Sequence, residues 1–140
     1  MLHRARAADL SARREWQTLL HYRPAVGGEG VVSDADDPRF FLAPSGKTDS
    51  QAELAATLRA FFSAEPVGGE PQPAQCAFVA RYHWLRAELA FDDRRLPPQP
   101  CPRLQRWFRE LDAESATLVF ASAYLNNPAS LFGHTLLRLD

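Results

Sequence analysis

TLVFASAYLNNPASLFGHTLLRLD, residues 117–140, is the stretch whose reading decides the fold. TLVFASAY is β-branched and aromatic, the composition of a strand. LNNPASLFG follows as a turn, because Pro128 has no N–H to give to a ladder. HTLLRLD reads as a second strand paired with the first. Gly133 just before His134 marks a tight backbone approach or a bulge at the strand mouth.

Working outward from this hairpin, the upstream periodicities are helical. Residues 8–22, ADLSARREWQTLLHY, place Leu10, Arg13, Trp16, Leu19 and Leu20 at steps of mostly three and four, which predicts one amphipathic helix. Arg23 and the glycine-rich PAVGGEG end it. Val31 and Val32, then Phe40, Phe41 and Leu42, are short apolar runs suited to strands or extended packing segments. QAELAATLRAFF predicts a second helix, capped by Asp49 or Ser50, with Glu53 in capping-box position after Ser50. Its buried face is expected to be Leu54, Leu58, Phe61 and Phe62. After the Pro/Gly-rich residues 63–75, CAFVARYHWLRAELA predicts a third helix through Phe78, Tyr82, Leu85 and Leu89. A second proline-rich loop precedes RLQRWFRELD, a short fourth helix through Leu104, Trp107, Phe108 and Leu111. Helices come first and strands last, so the fold class is α+β, with a helical region over 1–66 and a second domain over 67–140.

Composition narrows the function. The chain has 140 residues, enough for one domain with a sizeable core. Sixteen basic and 17 acidic side chains leave a formal charge of −1, with no basic stripe for nucleic acid. No apolar run reaches the ~18 residues that a transmembrane helix needs. The opening MLHRARAADLSARREW has no apolar core of a signal peptide. Neither a Cys-x-x-Cys nor a His-Glu-x-x-His spacing is present, so no metal is expected. GGEG follows a helix and lacks the Lys-Ser/Thr of a phosphate loop, so no cofactor is expected either.

Cys76 and His134 are the residues that chemistry would use. Cys76 stands after the proline-rich linker, at or just before the predicted first residue of a helix, where unpaired N–H groups favour a thiolate. A histidine on a strand facing such a cysteine can take the thiol proton, the layout of papain-like and NlpC/P60-like thiol enzymes. Spacing alone does not choose this pair over two other readings of Cys76. It can be a small buried apolar group. It can also bridge to Cys101, which on the chain-entropy model would stabilise the fold by about 3 kcal/mol. A bridged Cys76 is not a nucleophile. Asn126, Asn127 and Ser130 suit the turn through side-chain bonds to backbone, or help to orient the imidazole. Arg81 and Arg138 would bind either an anionic substrate group or a structural carboxylate.

QCAFVARYHWL at residues 75–85, the Cys101–Pro102 pair, and LVFASAYLNNPASLFGHTLLRLD at residues 118–140 together resemble the Lnb N-terminal periplasmic domain family, named after a bacterial lipoprotein N-acyltransferase. WQTLLHY and FFLAPSGKTDSQAELAATLRAFF resemble the helical region that precedes this domain in large proteobacterial envelope proteins. The resemblance implies a periplasmic or cell-envelope protein with a papain- or NlpC/P60-like core. It implies Cys76 as an acyl-accepting nucleophile and His134 as its base; on the residue reading above, Asn127, Ser130 and Arg81 would be the orienting or substrate-binding groups. The reaction would be that of a thiol hydrolase or acyltransferase on a lipoprotein, peptide or other envelope substrate. The alternative is a non-catalytic structural or partner-binding domain with a Cys76–Cys101 disulfide. Where family members show Phe-Pro-Ala-Arg, this chain has Phe78-Val79-Ala80-Arg81. Members are also longer and begin with a signal peptide, so the sequence is expected to be a fragment, inactive by itself, with the rest of its sheet beyond His134 and Asp140.

Overall fold

A computed structural model of the chain describes residues 1–121 and 134–140. The chain divides into two compact units, Met1–Cys101 and Pro102–Asp140, so the 63–75 linker lies within the first of them. Each mixes helix with a two-stranded antiparallel sheet or is built around one, and the α+β class holds.

The first unit begins with a helix broken into pieces. In place of one run over 8–22 there are α1 (Leu2–Ala7), a 3-10 turn (Leu10–Ala12) and α2 (Arg14–Leu19). Asp9 breaks the first junction in the left-handed region (φ 48°) and Arg13 the second in an extended conformation. The break frees the Ser11 carbonyl, which accepts from the Ser50 hydroxyl at 2.7 Å and from the Gln17 amide. Tertiary hydrogen bonds here replace the intrahelical ones, as caps and side chains commonly do at helix ends. The predicted stripe still points inward, since Leu10, Trp16 and Leu20 are fully buried.

Strands β1 (Tyr22–Pro24) and β2 (Val31–Ser33) pair antiparallel, with Tyr22 opposite Ser33 and Pro24 opposite Val31. Phe40 to Leu42 are not a strand. A 3-10 turn (Pro38–Phe40), held by the Asp37 carboxylate on the Arg39 N–H at 2.9 Å, leads into a loop. Helix α3 (Ser50–Phe61) is capped by Asp49, whose carboxylate accepts from Ala52 N–H at 2.8 Å. Glu53 is therefore not the partner of a capping box; it turns into the interior. Leu54, Leu58 and Phe61 are buried as expected, whereas Phe62 lies beyond the helix and is 40% exposed.

The expected third helix is two: α4 (Ala74–Ala77) and α5 (Val79–Leu89), separated by Phe78 at φ −124°, ψ 54°. One core joins these elements. Trp16 stacks on Trp84 at 5.7 Å, and Phe61 meets Tyr82 edge-on at 5.5 Å. Leu85, Leu89, Phe91 and Leu96 complete it.

The second unit holds α6 (Pro102–Leu111) and the hairpin of β3 (Ala116–Ala121) with β4 (His134–Leu139). Leu118 stands opposite Leu137, Val119 opposite Leu136 and Ala121 opposite His134, the pairing expected from sequence. The turn, with Asn126, Asn127 and Ser130, lies outside the described residues.

Candidate functional site

Cys76 is the third residue of α4 and is 8% exposed. Its own N–H donates to the Pro73 carbonyl at 2.8 Å. It therefore does not stand free at a helix start, and a four-residue helix offers little dipole to hold a thiolate. Its sulfur is bonded to that of Cys101, with the two Cα atoms 5.1 Å apart, and among the described residues no cysteine is free. That separation falls inside the range a disulfide accepts. Cys101 reaches it through a left-handed backbone (φ 45°), in a run crowded with prolines. The bridge fastens residues 90–101, which form no helix or strand, back onto α4.

In this bonded state Cys76 has no proton to give and no lone thiolate to attack with. His134 opens β4 in the second unit, whereas Cys76 belongs to the first. Asn127 and Ser130 fall on undescribed positions.

Arg81 lies on α5 and is buried. One amino nitrogen donates to Glu53 Oε1 at 2.7 Å and the other to the Phe40 carbonyl at 2.6 Å. The guanidinium also lies 4.7 Å from the Phe40 ring centre and 4.4 Å from that of Phe78. Glu53, 0% exposed, accepts from Leu42 N–H at 2.9 Å and from Ala43 N–H at 2.7 Å besides Arg81. Four partners thus surround one buried ion pair, the condition under which such a pair survives desolvation. Burial lowers the Arg81 pKa, and the Glu53 carboxylate pulls it back up.

Tyr22 and Gly46 close the network. The Tyr22 hydroxyl donates to the Gly46 carbonyl. Burial raises its pKa well above the usual phenol range, and the Glu53 charge adds to the shift. A Cβ at Gly46 would collide with Glu53 Oε2 and come within 2.8 Å of Phe41 Cβ. The loop therefore folds over the carboxylate only because this residue is glycine. Both terminal nitrogens of Arg81 are engaged by protein groups, and its carboxylate partner is Glu53. Sequence reading missed Glu53 as its partner. The pair is 28 positions apart with no local pattern to join it, and Glu53 had a plausible capping role nearby.

The open space lies elsewhere in the first unit. A cavity of about 620 Å³ is lined by Arg4, Leu58, Arg59, Phe62, Asp92 and Arg95, with the first residues of α1. A second, of about 380 Å³, lies beside α4 and shares Phe62 and Arg95 with it. Among the described residues no group of three or more His, Cys, Asp or Glu side chains could hold a metal ion. No described helix is long and apolar enough to cross a membrane.

Two family models match the chain. One described as Domain of unknown function (DUF7843) covers residues 8–88, and the Lnb N-terminal periplasmic domain covers residues 103–140. The boundary between the two compact units, at Cys101 and Pro102, falls in the interval 89–102 that neither match covers. No curated protein and no solved structure matches.

Proposed function

The chain belongs to the family described as Domain of unknown function (DUF7843), and from that premise we propose that it is a non-catalytic cell-envelope domain, stapled by Cys76–Cys101, that binds a partner. The match of residues 103–140 to a periplasmic domain supports an oxidising compartment, where such a bridge persists. The observation that carries the reading is the bond itself. Cys76 is the one residue the sequence offered as a nucleophile, and its sulfur is spent on fastening residues 90–101 to α4.

A second reading is favoured by the Lnb N-terminal match. In it a papain- or NlpC/P60-like core works when the bridge is reduced. Cys76 would attack an ester or amide carbonyl, and His134 would take the thiol proton and pass it to the leaving group. An acyl-enzyme thioester would result, with Asn127 and Ser130 orienting the imidazole. The substrate would be a lipoprotein, a peptide or another envelope component.

One experiment separates the two. The unreduced chain is alkylated with iodoacetamide across pH, and the labelled cysteines are mapped before and after reductant. The stapled-domain reading expects no label on either cysteine until reduction, then label on both. Labelling of Cys76 without reductant, at an apparent pKa well below the ~8.5 of a free thiol, would sink it. If His134→Ala then raised that pKa, the thiol-enzyme reading would take its place.

A further inference from the structure

We propose that the 620 Å³ cavity of the first unit is a recognition site for an acidic peptide segment carrying one large apolar side chain. This rests on the partner-binding reading and names the chemistry of the partner.

The argument begins with charges that have no partner. Arg4 on α1, Arg59 near the end of α3 and Arg95 in the following loop all line this one cavity. None of these three guanidinium groups has an ion-pair or side-chain hydrogen-bond partner among the described residues. Four arginines elsewhere in the unit are paired, Arg23 with Asp34, Arg39 with Asp37, Arg86 with Asp93 and Arg81 with Glu53, while Arg6, Arg13, Arg14 and Arg94 are scattered and line no shared cavity with these three. Asp92 is the one carboxylate in the lining, and its Oδ1 already accepts from the Arg94 N–H at 2.9 Å. Three cations from three separate elements therefore face a shared space with one opposing charge.

The same lining has apolar members. Leu58 is part of the core, and Phe62 presents an exposed ring that rests edge-on against Phe91 at 5.6 Å. An exposed aromatic sharing one cavity with three arginines supplies the residue types, aromatic and arginine, that anchor binding hot spots. Arginine adds forked recognition of carboxylates.

Other occupants fit less well. A bare phosphate would use the guanidinium groups and leave Phe62 uncovered. A bilayer surface cannot enter a concavity of this size, whereas a single side chain can. A polyanion such as nucleic acid finds no supporting field in a chain of formal charge −1. A peptide with carboxylates on both sides of a Phe or Leu satisfies the arginines and Phe62 together.

The test uses the oxidised full chain and three probes: Ac-Asp-Glu-Phe-Glu-Asp-NH2, its Gly-centred analogue, and Ac-Lys-Lys-Phe-Lys-Lys-NH2. Binding is read by titration calorimetry and by amide shifts in ¹⁵N spectra. The Phe-centred acidic peptide is expected to bind about tenfold more tightly than the Gly analogue, with shifts centred on Phe62 and Arg95. The double variant Arg59→Gln, Arg95→Gln is expected to lose about tenfold or more with its unfolding midpoint unchanged, since both side chains are exposed. Phosphatidylglycerol vesicles binding where the peptide does not would overturn the proposal, as would equal binding of the lysine peptide or no saturable binding at all. Failure here with both cysteines unlabelled until reduction removes this site and leaves the stapled domain standing. Labelling of Cys76 without reductant removes the stapled domain on separate grounds.

Discussion

Helices α3 and α6 carry apolar side chains at the same three- and four-residue spacing, and only one of them buries its apolar face. Leu54, Leu58 and Phe61 of α3 lie in the core, together with the charged Glu53 on the same helix. Leu104, Trp107, Phe108 and Leu111 of α6 divide from its arginines far more cleanly, yet α6 has no buried residue. Strands β3 and β4 repeat the pattern, with Leu118 72% exposed and Phe120, Leu137 and Leu139 also outside. Amphipathicity states what an element is able to bury. Whether it does so depends on an opposing surface, and in the first unit Trp16, Tyr82 and Leu85 supply one. The second contrast is in charge. The first unit has taken an ion pair into its core, which only a closed, fully hydrogen-bonded interior tolerates.

The largest effect expected of a single substitution tests that ion pair. Arg81→Met leaves Glu53 charged and buried beside two N–H donors, and should cost about 3–5 kcal/mol. The urea midpoint, read from Trp16 and Trp84 fluorescence in a Trp107→Phe background, measures it. A loss below about 1 kcal/mol would place the pair in contact with water and erase the contrast with the second unit.

A matched pair of truncations sharpens the comparison. Leu58→Ala should cost about 2–5 kcal/mol, because it opens a cavity in a packed core. Leu118→Ala, on the exposed face of β3, should stay within about 0.5 kcal/mol. Equal losses from denaturant curves would mean that the hairpin face is covered in solution.

The smallest effect is a change of slope. The folded Tyr22 hydroxyl holds its proton to higher pH than an unfolded tyrosine, chiefly through burial. Its contribution is complete below the unfolded pKa of about 10 and is lost as pH rises from there toward the folded value. Stability should then fall by about 1.4 kcal/mol per pH unit from this residue, and Tyr22→Phe should remove that part of the slope. An unchanged alkaline slope would show that the hydroxyl is solvated.

Much of the fold was legible because it is local. The positions of α3, α6, β3 and β4 followed from spacing and from turn residues, and so did the inward side of Leu10, Trp16 and Leu20. The helix over 8–22 failed at Asp9 and Arg13, where the backbone leaves helical geometry and Ser11 turns its carbonyl to Ser50. Phe78 likewise split the third helix, and its ring lies under the Arg81 guanidinium. The break around Ser11 serves a contact with Ser50, 39 positions away, which no local window of sequence contains.

By itself, then, the sequence determined where α3, α6 and the second hairpin form, the α+β class, and the list of residues able to do chemistry. These rest on short-range sterics, hydrogen-bond chemistry and the periodicity of apolar side chains. The tertiary structure decided what those residues do. It joined Cys76 to Cys101, paired Arg81 with Glu53, and left Arg4, Arg59 and Arg95 around one cavity. Partner choice among distant groups depends on which backbones are brought close, and that is settled only when the whole core closes.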